Sequence, residues 1–209
     1  MVKKLKLNLI RNKFREDGIY VFGPFDLQKY FKVSQNTANL FINRNVKQGN
    51  ILKLRRGLYM FAGEYVSEML IANRVYEPSY VSFEYALMFY SIIPETVYTI
   101  TSATTRLTRE FVINNINYSY HRIKREAFTG YIKKDFQGQE AFIAEPEKAL
   151  ADYLYFVAIG QKVLNERLEL KEINKKKLIK YAKLFGRRGL LKLINQIYAK
   201  NRRNREIIY

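Results

Sequence analysis

The side chains best placed to do chemistry in this chain are amides and arginines, not nucleophiles. Asn36, Asn39, Asn43 and Lys47 recur at the spacing that aligns residues on one side of a helix. Ala38 and Phe41 fall on the opposite side, with Ile42 at its edge. Asparagine and glutamine can pair bidentately with adenine in a major groove, and arginine with guanine. Gln35, Asn36, Asn39 and Asn43 are therefore candidate base contacts, and Thr37 could reach a phosphate or a thymine methyl group. Shortly after, Arg55-Arg56-Gly57 separates Ile51–Leu54 from Leu58–Phe61, a strand–turn–strand pattern. Lys53, Arg55 and Arg56 there suit phosphates or a minor groove. The plainer alternative is that the amides are simply a solvated helix face.

Other chemistries lack their residues. The chain has no cysteine and one histidine, His121. Disulfides, thiolate metal sites, a cysteine nucleophile and multi-histidine metal sites are thereby excluded. A nuclease of the restriction type needs an acidic residue followed by Glu-x-Lys on a strand. Asp135 and Glu140 lie near a hairpin, but Glu140-Ala141-Phe142 lacks the lysine. No phosphate-binding glycine loop and no serine elbow is present. The expectation is a protein that is not an enzyme and needs no cofactor or metal.

These candidate contacts need elements to hold them. Ser34 suits the N-cap of the amide helix and Gly49 its end. Leu40 and Asn45 sit on the wrong faces of that helix: Leu40 could pack under the hairpin and Asn45 could bond to backbone, or the register could be off by one. Upstream, Leu5 to Asp17 has Leu5, Leu9, Ile10 and Phe14 at helical spacing, although Lys4–Leu7 also alternates like a strand. Ile19–Phe22 is a short extended run, and Asp26 opens a helix through Phe31 with Leu27, Tyr30 and Phe31 inward. Helix, short strand, helix, turn, helix, hairpin is the order of a winged helix-turn-helix.

Downstream, the pattern predicts a helix over Glu64–Tyr76 that Pro78 breaks, and an aromatic helix over Phe83–Tyr90 capped by Ser82. Strands are expected at Val97–Thr101, Phe111–Ile113 and Tyr118–Ile123, with a hairpin around Asp135–Gly138. Pro146 and Glu147 mark the start of a buried helix to Ala158, in which Lys148 could pair with a strand carboxylate. Lys175–Phe185 and Gly189–Ala199 read as amphipathic helices, and Asn201–Arg205 as a basic end.

Charge is unevenly distributed. Residues 1–62 carry 13 Lys/Arg against 3 Asp/Glu, residues 63–160 carry 9 against 12, and residues 161–209 carry 15 against 4. Two basic ends flank a slightly acidic middle, and such fields attract polyanions. The basic C-terminal helices could be a second polyanion or partner face, or a solvated pair covering the middle sheet. An anionic membrane surface is a weaker match, because no segment joins a basic face to apolar anchors free of a core role. No apolar run is long enough to span a membrane, and the N-terminus lacks the apolar stretch of a signal peptide. A cytoplasmic protein is expected. The organisation expected is α+β: an N-terminal winged helix-turn-helix over 1–62, then a mixed α/β domain over 63–209 with a small sheet, whose part 161–209 is a basic helical tail.

Behind that N-terminus, EPSYVSFEYALMFYSIIPETVYTITSATT (Glu77 to Thr105) and FIAEPEKALADYLYF (Phe142 to Phe156) follow in order. The arrangement resembles the AbiEi-type antitoxins of bacterial type IV toxin–antitoxin (abortive infection) systems, over nearly the whole chain and least toward its C-terminus. The resemblance implies a transcriptional repressor whose winged helix binds double-stranded DNA repeats in its own promoter. It also implies a C-terminal domain that opposes a nucleotidyltransferase-like toxin without a stable complex. The DNA-reading positions it carries over are Ser34 to Lys47, Arg44 included, and Lys53 to Gly57. It brings no catalytic residue. The competing reading is a winged-helix regulator without antitoxin activity.

Overall fold

The structure, a computed structural model, describes residues 5–206, with side chains described as far as Asn201. It is a mixed α+β protein with two sheets. The first unit runs α1 (Leu7–Glu16), α2 (Pro24–Phe31), α3 (Gln35–Lys47), β1 (Ile51–Arg55) and β2 (Leu58–Phe61). Its core forms where the apolar side of each helix meets the hairpin: Ile10, Phe14, Phe22, Leu27, Ala38, Ile42, Ile51 and Phe61 are all but inaccessible. Phe14 sits at the centre, with the rings of Phe22 and Phe31 at 5.3 and 5.7 Å and the edge-on ring of Tyr30 at 5.5 Å. Leu9, expected inside, is 62% exposed. Leu5, just before α1, is buried in the cluster together with Ile10 and Phe14. Tyr30 is likewise on the rim, its ring edge against Phe14 and its remainder in solvent. Lys4, the first residue of the alternating start, lies outside the described residues.

Within Ile19–Phe22 only Phe22 pairs, exchanging two backbone hydrogen bonds with Tyr59 at 2.9 and 2.8 Å. That bridge draws the entry to α2 against the hairpin. Asp26, in the first turn of α2, accepts from the Gly23 amide at 2.7 Å. A side-chain carbon on Gly23 would lie 2.7 Å from the Gly57 carbonyl oxygen, so glycine here lets the hairpin turn dock on the start of α2. On β2 alternate residues face opposite ways. Phe61 belongs to the first core, whereas Leu58 and Met60, with Leu54 of β1, join the second.

The second unit is built on a six-stranded sheet of order β5-β6-β4-β3-β8-β7. Its strands are β3 (Ser79–Val81), β4 (Ile100–Thr104), β5 (Arg109–Ile113), β6 (Ile116–Arg122), β7 (Tyr131–Asp135) and β8 (Glu140–Ala144). The hairpins β5–β6 and β7–β8 are antiparallel, while β4–β6 and β3–β8 run parallel. Around the sheet lie α4 (Glu68–Val75), α5 (Phe83–Phe89), α6 (Pro146–Ala158), α7 (Lys175–Lys183) and α8 (Arg188–Glu206). The linker between the units is anchored: the Gln139 side chain accepts from the Ser67 amide at 2.7 Å and donates to the Tyr65 carbonyl at 2.8 Å.

Several expectations from the sequence shift here. The helix expected from Glu64 begins at Glu68, because Glu64 turns back to receive Arg15 at 2.9 Å and Tyr65–Ser67 serve the Gln139 contact. Ser79–Val81, unassigned in the sequence, is a strand buried on both faces in the middle of the sheet. The strand expected at Val97–Thr101 starts at Ile100, and Tyr98 is 84% exposed in the preceding loop. Its β-branched composition fits a strand, but the loop has no neighbour to pair with. The basic end Asn201–Arg205 continues α8 as helix.

Candidate nucleic-acid interface

The helix α3 is set by its ends and its apolar side. Ser34 accepts from the Thr37 amide at 3.2 Å at the N-terminus, and Gly49 takes a φ of 74° just beyond the C-cap. Ala38, Phe41 and Ile42 are buried against the first core. That leaves Asn36, Leu40, Asn43 and Lys47 as an exposed stripe, with Arg44 beside it and Asn39 half-buried at its edge. Gln35 is exposed on the first turn. The two hydroxyls of the first turn are otherwise engaged: Ser34 and Thr37 lie 2.9 Å apart in a mutual hydrogen bond, and Thr37 is half-buried. These two serve the cap before they can serve any ligand.

Leu40 and Asn45 resolve the register. Asn45 is buried and donates to the Phe41 carbonyl at 2.9 Å, while its oxygen accepts from Asn50 at 3.3 Å. It therefore ties the end of α3 to the start of β1. Leu40 does not pack under the hairpin; it is 63% exposed, between the amides. A leucine in such a stripe offers an apolar contact of the kind a thymine methyl group accepts. Its helical offset from Asn36 and Asn43 places it on this face, where leucine is not expected.

In the hairpin, Lys53, Arg55 and Arg56 are exposed, and Gly57 turns the chain with a φ of 78°. Among the described residues, none of Arg44, Lys47, Lys53, Arg55 and Arg56 has a carboxylate within ion-pair reach. The basic residues of α1 differ: Arg15 and Arg11 both reach Glu64, at 2.9 and 3.7 Å. The first unit thus neutralises the cations that brace it and leaves those of α3 and the hairpin uncompensated. Such a surface can displace counterions from a phosphate backbone.

The second unit holds a different polar cluster. Lys148 and Asp152 form an ion pair one turn apart on α6, both fully buried. Asp152 also accepts from the hydroxyls of Ser82 at 2.7 Å and Tyr80 at 3.0 Å, and the Lys148 ammonium lies 5.0 Å from the centre of the Phe185 ring. Burial pushes Asp152 above the usual carboxylate value and Lys148 below the usual amine value, with their mutual attraction opposing both shifts. The strand carboxylate expected for Lys148 is replaced by this partner on its own helix. Ser82, expected to cap α5, instead spends its hydroxyl on Asp152 and makes no capping bond. Neighbouring Glu147 reaches Lys177 at 3.3 Å. Both side chains are fully buried, and the bond from Tyr80 to Asp152 ties α6 to β3.

His121 is also turned inward, with its ring 5.0 Å from Phe83 and 5.3 Å from Phe156. Burial, helped by the charge of Lys162, lowers its pKa to about 4. Asp135 and Glu140 face each other across the β7–β8 hairpin. The Glu140 carboxylate pairs with Lys133 and the Asp135 carboxylate accepts from the Gly138 amide at 3.0 Å. Among the described residues there is no group of three or more acidic, histidine or cysteine side chains that could hold a metal ion, and no helix is long and apolar enough to cross a membrane. Neither a family model nor a curated protein matches the chain.

Proposed function

We propose that the first unit is a winged helix-turn-helix that binds double-stranded DNA, with α3 in the major groove and the β1–β2 turn on flanking phosphates. The observation that carries this reading is the stripe of Asn36, Leu40, Asn43 and Lys47 on α3, exposed and uncompensated, on the same body as the unpaired Arg55 and Arg56. Base edges would be read by Gln35, Asn36, Asn39 and Asn43, and the backbone gripped by Arg44, Lys47, Lys53, Arg55 and Arg56. Within that frame the chain is a transcriptional autorepressor and antitoxin of the AbiEi type, opposing a nucleotidyltransferase-like toxin without itself being an enzyme. The antitoxin half of the proposal rests on the resemblance of Glu77–Thr105 and Phe142–Phe156 to that family.

Gel-shift titration against the DNA upstream of the gene tests the first half. Replacing Arg55 and Arg56 by alanine should weaken binding to every sequence and flatten its salt dependence by roughly one unit per arginine. Unchanged affinity in the double variant would falsify the wing assignment. Co-expression with a nucleotidyltransferase encoded next to the gene tests the second half. Rescue of growth supports the antitoxin, and continued toxicity at matched expression leaves a DNA-binding regulator alone.

A further inference from the structure

Residues 63–160 hold 9 Lys/Arg against 12 Asp/Glu, so this region as a whole should repel polyanions. Three of those cations nevertheless converge on one cavity of about 850 Å³, lined by Arg122, Lys124 and Arg125 together with Thr105, Phe128 and Tyr155. Local geometry brings them together. Arg122 closes β6, and the next residue, Ile123, continues the ladder by donating to the Thr104 carbonyl at 2.8 Å. A single 3₁₀ turn (Arg125–Ala127) then bends the chain away. Ile123 and Ala127 are buried and anchor the bend, which leaves Arg122, Lys124 and Arg125 exposed around the opening.

No carboxylate lines this cavity. Three other cations of residues 63–160 are neutralised by carboxylates: Arg74 pairs with Glu77 at 2.9 Å, Lys133 with Glu140 and Lys148 with Asp152. Arg106, Arg109 and Lys134 lie over aromatic rings. At the cavity, Lys124 donates to the Phe185 carbonyl at 2.8 Å, which fixes its position and leaves its charge uncancelled. Among the described residues Arg122 and Arg125 have no acidic partner. The aromatic walls are held firmly. Tyr155 stacks on Phe185 with ring centres 4.3 Å apart, and Phe128 packs on Tyr80 at 5.1 Å.

We propose that this cavity binds a free nucleoside polyphosphate, its phosphates held by Arg122, Lys124 and Arg125 and its base against Phe128 or Tyr155. Guanidinium groups match phosphate oxygens in a fixed fork. Aromatic side chains stack on any base, and the volume is that of a small-ligand site. A nucleic-acid backbone would need an open basic track, whereas these cations surround a pocket with aromatic walls. The site lies in the second unit and owes nothing to the DNA-reading proposal for α3.

Titration of the full chain with fluorescent N-methylanthraniloyl ATP and GTP, followed by competition, tests this. ATP or GTP should displace the probe about tenfold more effectively than AMP, and inorganic tripolyphosphate should compete less well than either triphosphate. Replacing Arg122 and Arg125 by glutamine should weaken nucleotide binding about tenfold or more with an unchanged melting temperature. The Arg55→Ala/Arg56→Ala variant should bind nucleotide like the parent. The proposal is overturned if no triphosphate binds, if tripolyphosphate competes as well as ATP, if the Arg122/Arg125 variant binds normally, or if nucleotide binding disappears with Arg55 and Arg56 instead. Should the double variant fold poorly, Arg125→Gln alone carries the same test.

Discussion

Two helices of 13 residues, α3 and α6, spend similar polar side chains in opposite ways. On α3 Asn36, Asn43, Arg44 and Lys47 face outward, and of its polar side chains only Asn45 is buried. On α6 Lys148 and Asp152 face inward and find one another, Tyr80 and Ser82. The difference shows that residue type does not decide whether a polar side chain is structural or available. What decides is whether the fold supplies its partner. A charge paired in the interior is costly to strand once its partner is removed, whereas an unpaired charge at the surface is free to meet a ligand.

This contrast can be broken or sharpened by substitution. The largest effect should come from Asp152→Ala, which strands a buried ammonium and two hydroxyls. A loss of about 3–5 kcal/mol in urea unfolding is expected, with DNA affinity of the folded fraction unchanged. A loss below about 1 kcal/mol would mean that the pair does not brace α6. Replacing Lys148 and Asp152 together by Met and Leu should recover much of that loss.

Next comes the acid response of His121. Its pKa in the folded protein is depressed to about 4, so its contribution is fully present above the unfolded value near 6.5 and is lost as pH falls through about 4. Allowing for its partial exposure, roughly 2 kcal/mol is at stake. His121→Phe should therefore lose less stability than the parent between pH 7 and pH 4, measured as a shift in urea midpoint. Equal slopes would show that the imidazole is solvated in the native state.

On α3 the effects should move from stability to binding. Asn36→Ala or Asn43→Ala is expected to relax base preference by about 1–3 kcal/mol at particular positions, seen in competition gel shifts, while the melting temperature holds. Gly23→Ala tests how the hairpin is aimed: with only 2.7 Å between its new carbon and the Gly57 carbonyl, the turn must move, at a cost of about 1–3 kcal/mol. DNA affinity should fall even though Gly23 touches no ligand. The smallest effect on folding should come from Leu40→Ser, within about 0.5 kcal/mol because the side chain is exposed. A measurable change in DNA preference from that variant would place Leu40 among the readers.

Legibility in the sequence followed from how local the cause was. The cap at Ser34, the turn at Gly57, the β7–β8 hairpin and the start of α6 at Pro146 are set by a few adjacent residues, and all were placed correctly. The strand β3 was not, because three residues carry no periodicity and its identity comes from neighbours on both sides, β4 and β8. The loop at Val97–Thr99 erred in the opposite direction, having the composition of a strand without a neighbour. Nothing in the spacing of Arg122, Lys124 and Arg125 announces the cavity, whose other walls are Pro78, Thr105, Ile123, Phe128 and Tyr155.

By itself the sequence determined the class of chemistry on offer. Without cysteine and with one histidine, it offers amides and cations, and it places the amides at helical intervals. It also determined α3 and its hairpin, whose signals are short-range. Only the tertiary structure decided which polar residues were already satisfied. Besides Lys148, the partners of Asp152 are a tyrosine and a serine some 70 residues away; Glu64 lies 49 residues from Arg15, and Ser67 lies 72 from Gln139. Such pairings depend on how the sheet is ordered, and strand order arises from long-range packing that no local pattern records.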